Sequence, residues 1–293
     1  MRRYRILKNN FTEKNMKKKK SKAATDGTDS GNLRQLKMCT ELSVPQALKG
    51  DAIRAAVNEN PNNLLPPDEL PVFARSALAI AASHIDKPAI AVAVTKRWKR
   101  GRTLRVIFLD NPSAKVRQKI EQYAHEWEKY VSVRFVFGTD PNAEIRITCN
   151  IGDGSWSYLG TDALTIPKNE ATMNYGWFND NTPDSEFSRT VLHEFGHALG
   201  AIHEHQHPGV SIPWNRPAVY QYYKDTQDWS KEEVDEQIFK KYDQSRLNMS
   251  AYDQKSIMHY AIEAKLLLDP TFAVGWNRSL SANDKAFMKA LYP

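Results

Sequence analysis

Five of the chain's eight histidines fall within the fifteen residues 193–207, HEFGHALGAIHEHQH. On a helix, His193 and His197 stand at i and i+4 and project from one face about 5–6 Å apart, so two imidazoles can aim at one ion. Two ligands alone would hold a divalent ion loosely. Gly200, three residues after His197, can take the left-handed conformation that ends a helix and turns the chain sharply. His203 can then close a third bond. Three neutral nitrogens with an open fourth position are the donor set of a catalytic zinc site, not of a closed structural one. Zinc so held lowers the pKa of its water to about 7 and polarises a carbonyl oxygen. Glu194, beside the first ligand, can take the water proton and pass it to a leaving amine. Peptide-bond hydrolysis is the reaction these parts suit. The bare five-residue pattern occurs in unrelated proteins, and the added Gly200 and His203 at fixed offsets make it specific.

The remaining histidines read differently. With three protein ligands assigned, His205 and His207 lie past the turn and are expected as neighbours of the site. His259 alternates with its flanking residues and is expected to point away from the metal, and His84 and His125 are expected to be structural.

Elements must deliver these residues. TPDSEFSRTVLHEFGHALG supplies Thr182 as N-cap, Pro183 at the first helical position, two acids in the first turn and Gly200 as a stop. Upstream, TLRVIFLD reads as a strand, and NPSAKVRQKIEQYAHEWEKY as an amphipathic helix with Asn111 as N-cap and Pro112 at the first helical position. VSVRFVF alternates, with Val131, Val133, Phe135 and Phe137 inward, and EIRITC repeats the pattern with Ile145, Ile147 and Cys149. SWSYLG and ATMNYGW are short strand candidates. Downstream, SKEEVDEQIFKKYD carries a capping box between Ser230 and Glu233, and SANDKAFMKALYP is a closing helix capped by Ser281. Strand, helix, several strands and helix read as an α+β fold.

Composition bounds the alternatives. All seven tryptophans lie at Trp98 or later, so the aromatic material for a core belongs to the last two thirds of the chain. The formal charge is +7, yet residues 1–22 hold ten Lys or Arg and one Glu, a net of +9, leaving about −2 for the rest. The basicity is a property of a tail expected to be a solvated, disordered arm, and no specific nucleic-acid partner is expected. No secretory signal and no transmembrane segment is visible; the compartment stays open between secreted and intracellular. With only Cys39 and Cys149 there is no disulfide framework, and both thiols are expected free. The sequons at Asn10, Asn248 and Asn277 matter only in a glycosylating pathway. Residues 1–45 read as a basic disordered leader and 46–95 as an N-terminal extension, in which QALKGDAIRAAVNENP could form a short helix, NNLLPPDELP a linker and VFARSALAIAASH a second helix. The catalytic domain is expected over 96–293 as a monomer.

HEFGHALGAIHE carries the HExxHxxGxxH pattern of the metzincins, and Glu204 after the third histidine resembles the astacin branch. SIMHY resembles the Met-turn of astacins, SWSYLG the stretch at the sheet edge over their cleft, and the ending LSANDKAFMKALY is also similar. The resemblance implies a metzincin fold: a twisted, mostly parallel sheet with two long helices in the N-terminal half, a loop-rich C-terminal half and the cleft between. It implies one zinc ion on His193, His197 and His203, Glu194 as general base, Tyr260 as a switchable ligand that can stabilise the oxyanion, and Met258 as a structural residue beneath the ligands. It further implies protein or peptide substrates pairing to Trp156, Ser157 and Tyr158 by β-augmentation. Ser155 stands where astacins carry a cysteine, as in a cysteine-poor microbial relative. In secreted astacins the glutamate matching Glu204 binds the new amino terminus; here it is expected either in a buried salt bridge or as a simple neighbour of the ligands. LKGDAI faintly resembles the propeptide segment in which an aspartate occupies the zinc, though Asp51 reads better as part of a surface turn. Two other classes remain open: a binding protein that keeps the scaffold with little turnover, and an anionic-surface binder acting through the tail.

Overall fold

Alternating β-branched and aromatic residues between 103 and 175 build one sheet on which the catalytic helix is laid. The structure, a computed structural model, describes residues 37–64, 95–242 and 250–293. The basic tail, His84, Asn10, Asn248, most of the linker and the second helix expected at 72–84 lie outside the described residues. The strands are β1 (Cys39–Leu42), β2 (Thr103–Phe108), β3 (Arg134–Phe137), β4 (Ile145–Thr148), β5 (Ser155–Tyr158) and β6 (Met173–Tyr175). They lie in the order β1-β5-β6-β4-β2-β3. β2, β3, β4 and β6 run parallel; β5 is antiparallel to β6, and β1 pairs parallel to β5.

The helices are α1 (Lys49–Glu59), α2 (Ala114–Ala124), α3 (Asp184–Ala198), α4 (Arg216–Gln227), α5 (Lys231–Val234) and α6 (Ala282–Leu291). α2 buries Val116, Ile120 and Ala124 and packs on α3. α3 is buried on every side from Arg189 to Ala198, because the sheet and α2 cover one flank and the C-terminal segments the other. This is an α+β architecture of the kind the resemblance implies, and its C-terminal half is held by short bridges such as Trp214 to Leu267 and Ile262 to Val274. Among the described residues no helix is long and apolar enough to cross a membrane.

Several local expectations shift. α2 starts two residues later than expected, with Ser113 Oγ accepting from Val116 N at 3.2 Å in place of an Asn111 cap. α3 starts at Asp184 with Pro183 as N-cap, while Thr182 Oγ1 accepts from Asn179 N at 3.0 Å in the turn before it. The Ser230–Glu233 capping box forms, but α5 is only four residues long and passes into a π-helical turn, Asp235–Phe239. Arg146, outward by simple alternation, is fully buried in β4 and donates to the carbonyls of Glu170, Ala143 and Ile166 at 2.7, 2.9 and 3.0 Å. A central parallel strand is covered on both faces, so its polar side chain must find backbone partners there. The end of the segment read as a disordered leader is ordered: Cys39–Leu42 form β1. α1 forms within QALKGDAIRAAVNENP and packs against the turn at Gly160–Thr165.

The end of α3 is finished by tertiary partners. Gly200, at φ 97°, closes a Schellman pair in which Ala201 N donates to Gly196 O at 2.9 Å and Gly200 N to His197 O at 2.8 Å. Tyr292 Oη donates to Leu199 O at 2.6 Å, and Trp98 Nε1 to Ala198 O at 2.7 Å. Tyr292→Phe leaves the Leu199 carbonyl buried without that donor and is expected to cost about 1–3 kcal/mol, read as a lower midpoint in denaturant unfolding.

Candidate metal centre and cleft

α3 places His193 and His197 one turn apart, and the Schellman turn brings His203 back beside them. One ring nitrogen from each of the three lies within 4.8 Å of the others. Two of the rings are oriented by backbone carbonyls: His193 Nδ1–H donates to Ile257 O and His197 Nδ1–H to Ala201 O, both at 2.8 Å. With those protons fixed on Nδ1, each Nε2 presents a lone pair inward. His193 Nε2 has no hydrogen-bond partner, and the Nε2 atoms of His197 and His203 face one another at 3.0 Å. Burial pushes all three imidazoles down, His197 to about 4 and the other two well below their ordinary value, so they stand neutral. Converging lone pairs on neutral buried rings fit a divalent cation.

Glu194 is fully buried and neither carboxylate oxygen has a partner. Burial pushes its carboxyl up to about 8, opposed by Cys39 and Arg189. Two orphaned carboxylate oxygens beside three imidazoles make Glu194 a candidate functional group.

The Met-turn supports the centre from below. Met258 Sδ lies 2.4 Å from where a Cβ on Gly196 would stand, so any larger residue there must displace the methionine side chain. Asp284, the third residue of α6 and its capping-box acid, accepts from Ser256 Oγ at 2.7 Å and Ile257 N at 2.8 Å. The closing helix therefore holds the Met-turn, and the Met-turn holds His193 through Ile257 O. Tyr260 is buried, its ring 4.3 Å from those of His203 and His205. His205 Nε2 bonds Gln237 O at 2.9 Å, His207 Nε2 bonds Ser250 O at 3.0 Å, and His259 bonds the Tyr252 hydroxyl at 2.8 Å. None of these three belongs to the three-imidazole group. His125 ends α2 beside Glu128, at 3.1 Å.

Of the two places expected for Glu204, the buried salt bridge does not form. No cation pairs with it among the described residues; it accepts from Asp253 N at 2.8 Å and borders a cavity of about 310 Å³ shared with Lys96, Met258 and Asp284. Burial pushes its carboxyl up to about 7.

The cleft edge is occupied by the chain itself. Trp156, Ser157 and Tyr158 pair with Thr40, Glu41 and Leu42, and Cys39 faces Ser155. Cys39 Sγ, a His193 nitrogen and a Glu194 oxygen lie within 4.8 Å of one another. Tyr260 Oη donates to Cys39 O, and Tyr242 Oη donates to the Glu41 carboxylate at 2.5 and 2.6 Å. Burial, with Glu194 adding, pushes the Cys39 thiol well up. Cys39 and Cys149 are both free. Asp51 is exposed in the first turn of α1 and pairs with Arg54, so it forms neither a surface turn nor a contact with the centre. Sequence reasoning missed Cys39, Arg189, Gly196 and the second role of Asp284. Only the rarity of cysteine pointed to the first, because 154 positions separate it from His193.

Residues 91–292 match the peptidase family described as Astacin. The chain belongs to the astacin family. It is accordingly a metalloendopeptidase. A solved structure titled "Structure of myroilysin" is 49% identical over 68% of this chain and 96% of its own, with a TM-score of 0.66. A second, "Crystal structure of myroilysin", is 48% identical over 68% of this chain and 86% of its own, with a TM-score of 0.54. No curated protein matches. Residues 37–64, including the strand in the cleft, lie outside the part matched to the family. Gly196→Ala forces a Cβ against Met258 in a packed core and is expected to cost about 1–3 kcal/mol. Unfolding midpoints and zinc content per chain check this, and both should fall.

Proposed function

We propose that this chain hydrolyses internal peptide bonds of proteins with zinc on His193, His197 and His203 and Glu194 as general base, and that its own segment 37–42 holds it latent. The observation that carries the first part is the convergence of three buried, neutral imidazole nitrogens beside a buried carboxylate with no partner. When bound, zinc acidifies a water and polarises the scissile carbonyl.

The chain's own groups supply the rest. Glu194, with its carboxyl pushed up toward neutrality, is suited to take the proton of the attacking water and deliver it to the leaving amine. Tyr260 already donates its hydroxyl to a main-chain carbonyl in the cleft, that of Cys39. The same donor can meet the substrate oxygen as charge develops on it. β5 offers unpaired main chain to an extended peptide once β1 has left, which favours unfolded or flexible protein segments over folded ones.

Latency rests on occupancy. β1 takes the hydrogen bonds that a substrate strand would take, and Cys39 Sγ stands where the attacking water and the scissile carbonyl must meet.

Glu194→Ala is expected to retain about one zinc per chain while losing 10²–10⁴-fold in cleavage of unfolded casein, about the worth of a general base. Equal cleavage by the two proteins, with zinc measured in both, sinks the mechanism. Cys39→Ala in the full chain is expected to raise casein cleavage about tenfold, the effect of ~1.4 kcal/mol lost from the docked strand. Unchanged activity removes the latency reading and leaves the peptidase reading standing.

A further inference from the structure

Arg189 lies on α3 one turn before His193 and is only 6% exposed. Its Nε and Nη2 donate to the two oxygens of Glu186 at 3.0 and 2.6 Å. Glu186 Oε1 in turn accepts from Trp177 Nε1 at 2.9 Å, and the ring of Trp276 covers the guanidinium at 4.4 Å. The group is thus fixed on a rigid helix by a paired acid and a stacked aromatic, the support that a preorganised binding group needs. A buried ion pair is weak evidence of stabilisation, because desolvation offsets most of its attraction. What this one does is visible in the cleft: Nη2 also donates to the main-chain carbonyl of Lys37 at 3.1 Å. Lys37 lies two residues from Cys39, whose sulfur is at the metal centre.

We propose that Arg189 is a substrate-anchoring residue that clamps a main-chain carbonyl of the bound protein segment about two residues from the bond being cut. The proposal rests on the peptidase reading above. An extended chain that pairs with β5 and continues past Ser155 as residues 37 and 38 do reaches the point where the Lys37 carbonyl now sits. It meets a charged donor whose position was set before binding, so the ordering cost falls on the substrate alone. The clamp reads backbone and not side chain, and it requires that the substrate extend past the scissile bond on that side. The ligand class is therefore an extended polypeptide cut internally, and a peptide ending short of the clamp is a poor substrate.

The test uses the full chain loaded with zinc and processed until the residues ahead of the peptidase domain are released, as followed by mass spectrometry. Wild type is compared with R189K and with the double variant E186Q/R189M, which leaves no unpaired buried acid if the single change fails to fold. Three peptides share one cleavage site: one extends four residues on both sides, and the others are cut back to one residue on one side or the other. Both variants are expected to raise KM about tenfold on the long peptide, with the loss carried by KM and not by kcat. One truncation is expected to raise the wild-type KM and to bring wild type and variants within about twofold of each other; the other truncation preserves the difference. Equal losses on all three peptides overturn the clamp, because a merely structural role would lower turnover everywhere. Wild-type protein that cleaves none of them overturns the peptidase reading instead.

Discussion

The reversal of the chain at the end of α3 is the constraint on which the site depends. Two histidines one turn apart need no more than a helix, but the third must come back to them within six residues. That requires a left-handed residue, and Gly200 supplies it at φ 97°. The carbonyls exposed by ending a helix in the protein interior must also be met, and Trp98 and Tyr292 meet them from opposite ends of the domain. The turn is local in sequence and global in its support.

The same pattern runs through the centre. Two of the three imidazoles, His193 and His197, are oriented by backbone carbonyls, and one of those carbonyls belongs to the Met-turn, which Asp284 pins from the closing helix. A chain of hydrogen bonds thus links α6 to His193 without any residue of α6 entering the centre. Desolvation does the electrostatic work: it holds the imidazoles neutral and lifts Glu194 toward the range useful to a base. His193 Nε2 and both Glu194 oxygens stand without a hydrogen-bond partner at this centre.

An open sheet edge beside such a centre is a liability, since unpaired main chain recruits any passing strand. Here β1 covers it. Its parallel pairing and its cysteine bring one of the chain's two thiols to the imidazoles. Tyr260 and Arg189 meet main-chain carbonyls of Cys39 and Lys37, and Tyr242 meets the side-chain carboxylate of Glu41.

Much of this was legible in the sequence, because it follows from short-range rules. Helical spacing puts His193 and His197 on one face, glycine permits the turn that returns His203, alternation marks the strands, and Ser281 with Asp284 caps the last helix. Helix starts moved by a residue or two, since proline and serine beside a boundary compete for the cap. What the sequence could not decide is which distant segments meet. The approach of Cys39 to a helix 154 positions away, the passage of Gly196 over Met258, the clamp of Arg189 and the burial of Arg146 all depend on packing between elements whose register no local pattern encodes. Local propensity determined the parts and the metal motif, and only the tertiary structure decided what fills the cleft, because that is settled by competition for one sheet edge.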